Sequence, residues 1–175
     1  MFRWGIMGGG FISSQFARGL EEAADMQVEV LASRSGRNDY GIKAKKYCCS
    51  YEELVNDKEV DAVYVGTIHP QHLSCVKACL KAGKPVLCEK PVTMNARELE
   101  EILHLARENQ TFFMEAMWTR FIPAMRGLER KYRLACTEKY IICILHLAGL
   151  PNRRQGVCLR QDLGAEHFLM WESTV

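Results

Sequence analysis

The chain lacks most of the features that assign a protein to a compartment or a partner at once. It has no apolar run long enough to cross a bilayer: the most apolar late stretch, Tyr140 to Leu150, is short and broken by His146. It has no excess of one charge, since 23 Lys and Arg against 21 Asp and Glu leave a net +2. Neither a nucleic acid nor a membrane is therefore expected as partner. Proline is sparse, at five residues, and there is no low-complexity linker and no internal repeat. The N-terminus carries no basic segment followed by an apolar core and a small-residue cleavage site, so no secretory leader is expected. The eight cysteines form no C-x-x-C pair: Cys48 and Cys49 are adjacent, Cys75 and Cys79 are one helical turn apart, Cys88 lies in an apolar run, and Cys136, Cys143 and Cys158 are scattered. Reduced, mostly buried thiols in a cytoplasmic protein account for them better than disulfides or a metal site, and no metal is expected.

What is present is a chain of 175 residues, 48% hydrophobic and 25% charged, large enough for one well-buried domain and short for two. Its organising stretch is residues 2–20. A short apolar segment runs into Gly8-Gly9-Gly10, after which Ile12, Phe16 and Leu20 recur at the spacing of a helix with one buried face. Strand, glycine turn and helix in that order aim the helix's free N–H groups at the turn, which suits an anion. Gly8 and Gly10 fit the first two positions of G-x-G-x-x-G, Ser13 takes the third, and Phe11 and Ile12 open the helix beside the expected pyrophosphate.

A second strand, Gln27 to Ala32, ends in Ser33-Arg34-Ser35. The residue past this strand meets the adenosine ribose in dinucleotide-binding folds, and an arginine there suits a 2′-phosphate, so Ser33 and Arg34 point to NADP rather than NAD. Arg37 and Lys43 could add to that site or be surface charge. A helix is expected over Asp39 to Tyr47, then a capping box at Ser50 starting a short helix through Leu54 and Asn56. Asp61 to Gly66 reads as a strand covered on both faces, running into the loop Thr67-Ile68-His69-Pro70-Gln71-His72. Leu73, Val76, Cys79 and Leu80 stripe the next helix, which Gly83 ends. Lys84 to Pro91 contains another strand. Asn95 and Glu98 cap a long helix with Leu99, Ile102, Leu103 and Ala106 as its core face, and Thr111 to Ala116 is a last strand. Strands alternating with helices predict an α/β fold, a doubly wound parallel sheet of the Rossmann type.

Several of these motifs together resemble the glucose-fructose oxidoreductase and inositol dehydrogenase family. They are the glycine turn, Gly66-Thr67 with Pro70 and His72, and Ala82 to Pro91 with its Glu89-Lys90-Pro91 signature. Met114 to Pro123 is similar to one branch of it, the dimeric dihydrodiol dehydrogenases. The resemblance implies hydride transfer between NADP and a small-molecule substrate, a trans-dihydrodiol or an aldose sugar such as D-xylose. It assigns the catalytic role to Lys90, which can hydrogen-bond both the reacting oxygen and the nicotinamide ribose of the cofactor and whose charge would favour the developing alkoxide. It also places Thr67, His69, His72, Glu89, Trp118 and Arg120 beside the cofactor. Either histidine could relay a proton or merely cap and pack, Trp118 could instead be a core aromatic, and Glu89 reads as a structural partner at the strand end.

Relatives continue into a largely antiparallel second domain that covers the nicotinamide. From about Lys131 this chain matches no such pattern, and Asp162-Leu163-Gly164 is followed by Glu166 where the branch has a tyrosine. The expected organisation is therefore an NADP-binding domain over 1–120 and, over 121–175, a linker helix and a divergent tail in place of the second domain. A homodimer is possible and doubtful without that domain. The alternative function is a catalytically inactive NADP(H)-binding module or a regulatory partner of a full-length relative.

Overall fold

Six short apolar runs pair side by side in a computed structural model that describes residues 1–127. They are β1 (Phe2–Met7), β2 (Met26–Ala32), β3 (Lys46–Cys48), β4 (Ala62–Val65), β5 (Val86–Cys88) and β6 (Phe113–Glu115). All pairings are parallel, in the order β3-β2-β1-β4-β5-β6, with Ile6 opposite both Leu31 and Tyr64. The helices are α1 (Phe11–Glu21), α2 (Tyr51–Asn56), α3 (His69–Lys81) and α4 (Ala96–Glu108). Met1–Ile122 forms one compact unit. Residues 123–127 are helical, and the expectations for Lys131 onward, with Cys136, Cys143 and Cys158, lie outside the described residues.

Alternation along the strands divides the core in two, because successive side chains leave a strand on opposite faces. Met7, Val30, Ala32, Val63 and Val65 pack with Leu54 of α2, Val76 and Leu80 of α3 and Ile102 of α4. Ile6, Leu31 and Tyr64 face the other way, toward Ala17 and Leu20 of α1. Burial on both faces explains why β4 is apolar apart from the Tyr64 hydroxyl.

The caps follow the sequence closely. Ser50 Oγ accepts from Glu53 N at 3.2 Å, and Asn95 Oδ1 from Glu98 N at 3.0 Å. Gly83 adopts φ +68 behind α3, which a Cβ would disfavour.

Three expectations are corrected. Residues 39–45 carry no helix. Asn38 Nδ2 donates to Ile42 O at 2.9 Å, Ile42 N returns a bond to Asn38 Oδ1 at 2.8 Å, and Tyr47 Oη donates to Ile42 O, so local side-chain bonds hold a turn in place of a helical ladder. The buried face of α1 is Ser13, Ser14, Ala17 and Leu20; Ile12 is exposed at the helix mouth, while Phe16 is half-buried and stacks on Tyr64 at 4.0 Å. On α4, Leu103 points outward, and Leu105 joins Leu99, Ile102 and Ala106 against the core.

Candidate functional site

Because every strand runs the same way, the loops following the strands gather at one end of the sheet. The strand order reverses between β1 and β4, which opens a crevice there in folds of this kind. Gly8-Gly9-Gly10 follows β1, Ser33-Arg34 follows β2, Gly66-Thr67 follows β4 and Glu89-Lys90 follows β5. Trp118 and Arg120 sit in the 3₁₀ turn Trp118–Phe121 that follows β6.

The glycine turn is shaped by close approach. Gly8 has φ +96, and a Cβ on it would stand 2.8 Å from Gly66 O; a Cβ on Gly9 would stand 2.3 Å from Arg37 O. Gly10 differs: a Cβ there would meet nothing within 4 Å. It is the N-cap of α1 and supplies no side-chain cap, so no side chain at this position covers the first N–H groups of the helix. Phe11 and Ile12 flank this mouth, both exposed.

Ser13 is fully buried, and its Oγ has no hydrogen-bond partner. It lies 2.3 Å from where a Cβ on Gly66 would be, so α1 approaches the end of β4 through two small residues. The turn thus offers an uncapped helix terminus, an approach free of side chains and an orphaned hydroxyl behind it, and these fit the pyrophosphate of a dinucleotide.

At the end of β2, Ser33 is buried and its N donates to Cys48 O at 3.0 Å, while Arg34 is exposed. The Arg34 guanidinium lies over the Tyr51 ring, 5.5 Å from its centroid. Arg37 is instead paired with Asp39 at 2.7 Å.

At the end of β5, Glu89 is buried: its Oε1 accepts from the Tyr64 phenol at 2.7 Å and its Oε2 from Lys90 N at 3.2 Å. Burial, then the bond to Glu89, hold the Tyr64 phenol well above its usual range, so it stays a donor. Lys90 is exposed, and no carboxylate pairs with its ammonium among the described residues. The Lys90–Pro91 peptide is cis.

His72 is buried completely. Its Nδ1 faces Pro91 O at 2.8 Å and its Nε2 faces Thr67 O at 3.0 Å. A neutral ring has one N–H and can serve one of these carbonyls, whereas the imidazolium serves both. His72 thereby ties the β4 loop to the β5 loop. His69 is exposed and its ring lies 5.5 Å from that of His72.

The structure therefore brings Gly8, Gly10, Phe11, Ile12, Ser33, Arg34, Thr67, His69, His72, Glu89 and Lys90 to the carboxyl ends of β1, β2, β4 and β5, with Trp118 and Arg120 following the edge strand β6. The sequence marks Glu89 as a structural partner at the strand end but does not show that its partner is Tyr64, gives Gly9 no place of its own within the glycine turn, and does not single out Tyr51 beneath Arg34. The run of three glycines was a signal for Gly9, and a tyrosine inside an otherwise apolar strand for Tyr64.

Among the described residues no group of three His, Cys, Asp or Glu could hold a metal ion, and no helix is long and apolar enough to cross a membrane. Cys75, Cys79 and Cys88 are free and buried, Cys48 is half-buried and Cys49 is exposed.

A doubly wound parallel sheet with a glycine turn at its switch point defines a dinucleotide-binding protein of Rossmann type. The family model described as "Oxidoreductase family, NAD-binding Rossmann fold" matches residues 2–117, and the chain belongs to this family, GFO_IDH_MocA. It is 46% identical over 132 residues to trans-1,2-dihydrobenzene-1,2-diol dehydrogenase of Bos taurus, covering 72% of this chain and 39% of that protein. Identity with the Homo sapiens protein of the same name is also 46%, over 72% of this chain and 40% of the relative. The chain thus spans about two fifths of the length of these curated relatives. Among solved structures it is similar to a probable dehydrogenase from Thermotoga maritima, with TM-score 0.70 and 25% identity over 75% of this chain and 41% of that one. A 3-ketoreductase from Actinomadura kijaniata, solved with TDP-benzene and NADP, matches with TM-score 0.67 and 29% identity over 73% of this chain and 42% of that one.

Proposed function

We propose that this chain is the cofactor-binding part of an NADP-dependent oxidoreductase that transfers a hydride between the nicotinamide and a hydroxyl-bearing carbon of a trans-dihydrodiol or an aldose such as D-xylose. The observation that carries the reading is the convergence, at one end of the sheet, of an uncapped helix terminus, an exposed arginine past β2 and an unpaired lysine past β5. The likeness to dihydrodiol dehydrogenases supports the substrate class.

The turn Gly8 to Gly10 and the first N–H groups of α1, with Phe11 and Ile12 beside them, would hold the pyrophosphate. Ser33 and Arg34 would meet the adenosine ribose and its 2′-phosphate, since a guanidinium matches a dianion that a carboxylate at this position would repel. Thr67 and His69 would line the crevice toward the nicotinamide, and Trp118 and Arg120 would bound it on the β6 side. The nicotinamide, when bound, supplies the hydride acceptor.

Lys90 Nζ would hold the reacting oxygen and stabilise the negative charge that builds on it as the hydroxyl proton passes to solvent water at this exposed position and the hydride to the nicotinamide. Glu89 fixes the Lys90 backbone from below, and Tyr64 fixes Glu89. His72, buried between Thr67 O and Pro91 O, keeps the loops that carry Thr67 and Lys90 in register, and its role here is one of positioning.

The test is NADPH formation from NADP with a trans-dihydrodiol or D-xylose at high protein concentration. Turnover that requires Lys90 is expected. No turnover, with NADPH binding retained, would leave an NADP(H)-binding module and remove the dehydrogenase reading.

A further inference from the structure

The position of Arg34 raises a question of its own. It is a long, exposed side chain at a strand end, and such a chain costs conformational entropy to hold in one place. No carboxylate pairs with it among the described residues, unlike Arg37 with its partner Asp39. What lies under it is the ring of Tyr51, 5.5 Å from the guanidinium carbon, within the range of a cation–π contact.

Tyr51 is itself anchored. It is the first residue of α2, whose N-terminus Ser50 caps, and its half-buried ring packs against the core cluster that holds Leu54 and Val55 of the same helix. Burial pushes the Tyr51 phenol up, against a smaller opposing pull from the Arg34 charge, so the ring beneath the guanidinium stays neutral. An aromatic face holds a guanidinium without neutralising it. A carboxylate in the same place would cancel the charge that a phosphate needs.

We infer that Tyr51 is a specificity-determining residue of the cofactor site: its ring positions the Arg34 guanidinium beyond β2 with its charge uncompensated, so that preference for a 2′-phosphorylated dinucleotide over the plain one depends on an aromatic side chain at position 51. The inference rests on the assignment of Arg34 to the 2′-phosphate. Tyr51 acts through Arg34 and is a positioning residue, not a catalytic one.

The experiment is a pair of titrations, NADPH and NADH, on the full chain and on Tyr51→Leu, Tyr51→Phe, Arg34→Ala and the double variant Arg34→Ala/Tyr51→Leu. Tyr51→Leu is expected to weaken NADPH binding roughly three- to fivefold, as loss of a cation–π contact does, and to leave NADH binding within about twofold. Tyr51→Phe keeps the ring face and should retain the NADPH preference. In the Arg34→Ala background, Tyr51→Leu should change the NADPH-to-NADH ratio no further although it lowers that ratio when Arg34 is intact; a purely structural role for the ring would leave the ratio unchanged in both backgrounds. Tyr51→Met, which also fills the buried volume, carries the same expectation and replaces Tyr51→Leu should that variant not fold. Equal loss for both nucleotides in Tyr51→Leu, or an unchanged ratio while Arg34→Ala lowers it, overturns the inference and leaves the Arg34 assignment standing. An unchanged ratio in Arg34→Ala overturns the assignment and the inference with it.

Discussion

The two ends of the sheet treat charge in opposite ways. At the amino ends three cations are matched: Arg3 bonds Asp61 through Nε at 3.1 Å and through Nη2 at 2.8 Å and also pairs with Glu59, Lys84 Nζ donates to Asp57 O and Val60 O, and Lys46 pairs with Asp57 at 2.7 Å. At the carboxyl ends Arg34 and Lys90 have no carboxylate partner among the described residues, the first turn of α1 is uncapped, and the Ser13 hydroxyl is unsatisfied. Two cations without a carboxylate partner beside an uncapped helix start suit a site that an anionic ligand would complete, although the amino half also holds one unsatisfied buried donor, Trp4 Nε1. The proposed ligand site lies at the carboxyl end.

Substitutions at the carboxyl end should therefore damage function more than folding. The largest effect is expected from Lys90→Met, which should lower any turnover by roughly 100-fold or more, the usual contribution of a group that moves or stabilises a proton, with NADPH affinity unchanged; initial rates and a binding titration on the same sample check both. Arg34→Asp comes next. It should weaken NADPH by about tenfold or more through loss of a charge-assisted contact, and NADH far less, in competitive titrations.

Gly9→Ala sharpens the comparison from within the site. Its Cβ would stand 2.3 Å from Arg37 O, so a cost of about 1–3 kcal/mol in urea unfolding is expected, together with weaker binding of both nucleotides. Gly10→Ala meets nothing within 4 Å and should cost less, no more than the roughly 0.5–1 kcal/mol by which Ala is the poorer N-cap, so a larger destabilisation by Gly10→Ala than by Gly9→Ala would contradict this geometry.

The amino end gives the smallest effect and the opposite pattern. Hydrogen bonding to Arg3 holds the Asp61 carboxyl at about 2, below its unfolded value of about 3.9. The pair's stabilisation is therefore fully present above the unfolded value and is lost as pH falls through about 2. Asp61→Asn should lower the Tm at pH 7 by a few degrees, remove part of the loss of stability between about pH 4 and 2, and leave the NADPH-to-NADH ratio alone.

Much of this was legible in the sequence wherever a signal was local. Gly83, Ser50 with Glu53, and Asn95 with Glu98 each announce a helix end by chemistry within four residues, and each is found where the pattern put it. Lys90, Arg34 and the glycines were legible as well, because each stands directly after an apolar strand. What could not be read was pairing across the sheet. Arg34 meets Tyr51 because β2 pairs with β3 and α2 follows, Tyr64 meets Glu89 because β4 pairs with β5, and His72 meets Pro91 O across two loops. Residues 39–47 misled for a different reason: their composition suits a helix, but Asn38 and the φ +63 of Gly41 close a turn that competes with it. Ile12 kept its helical spacing yet stands at the open mouth, where the fold leaves it exposed.

The central claim is that the carboxyl end of this sheet completes its charge pairing with a 2′-phosphorylated dinucleotide. It is tested most directly by titrating the full chain with NADPH and, separately, with NADH, following the emission of the bound nicotinamide, with a thermal melt on the same sample. The account predicts saturable binding of both and a clear preference for NADPH that Arg34→Asp removes. A chain that melts cooperatively and binds neither nucleotide, or binds them equally with Arg34 intact, would contradict it.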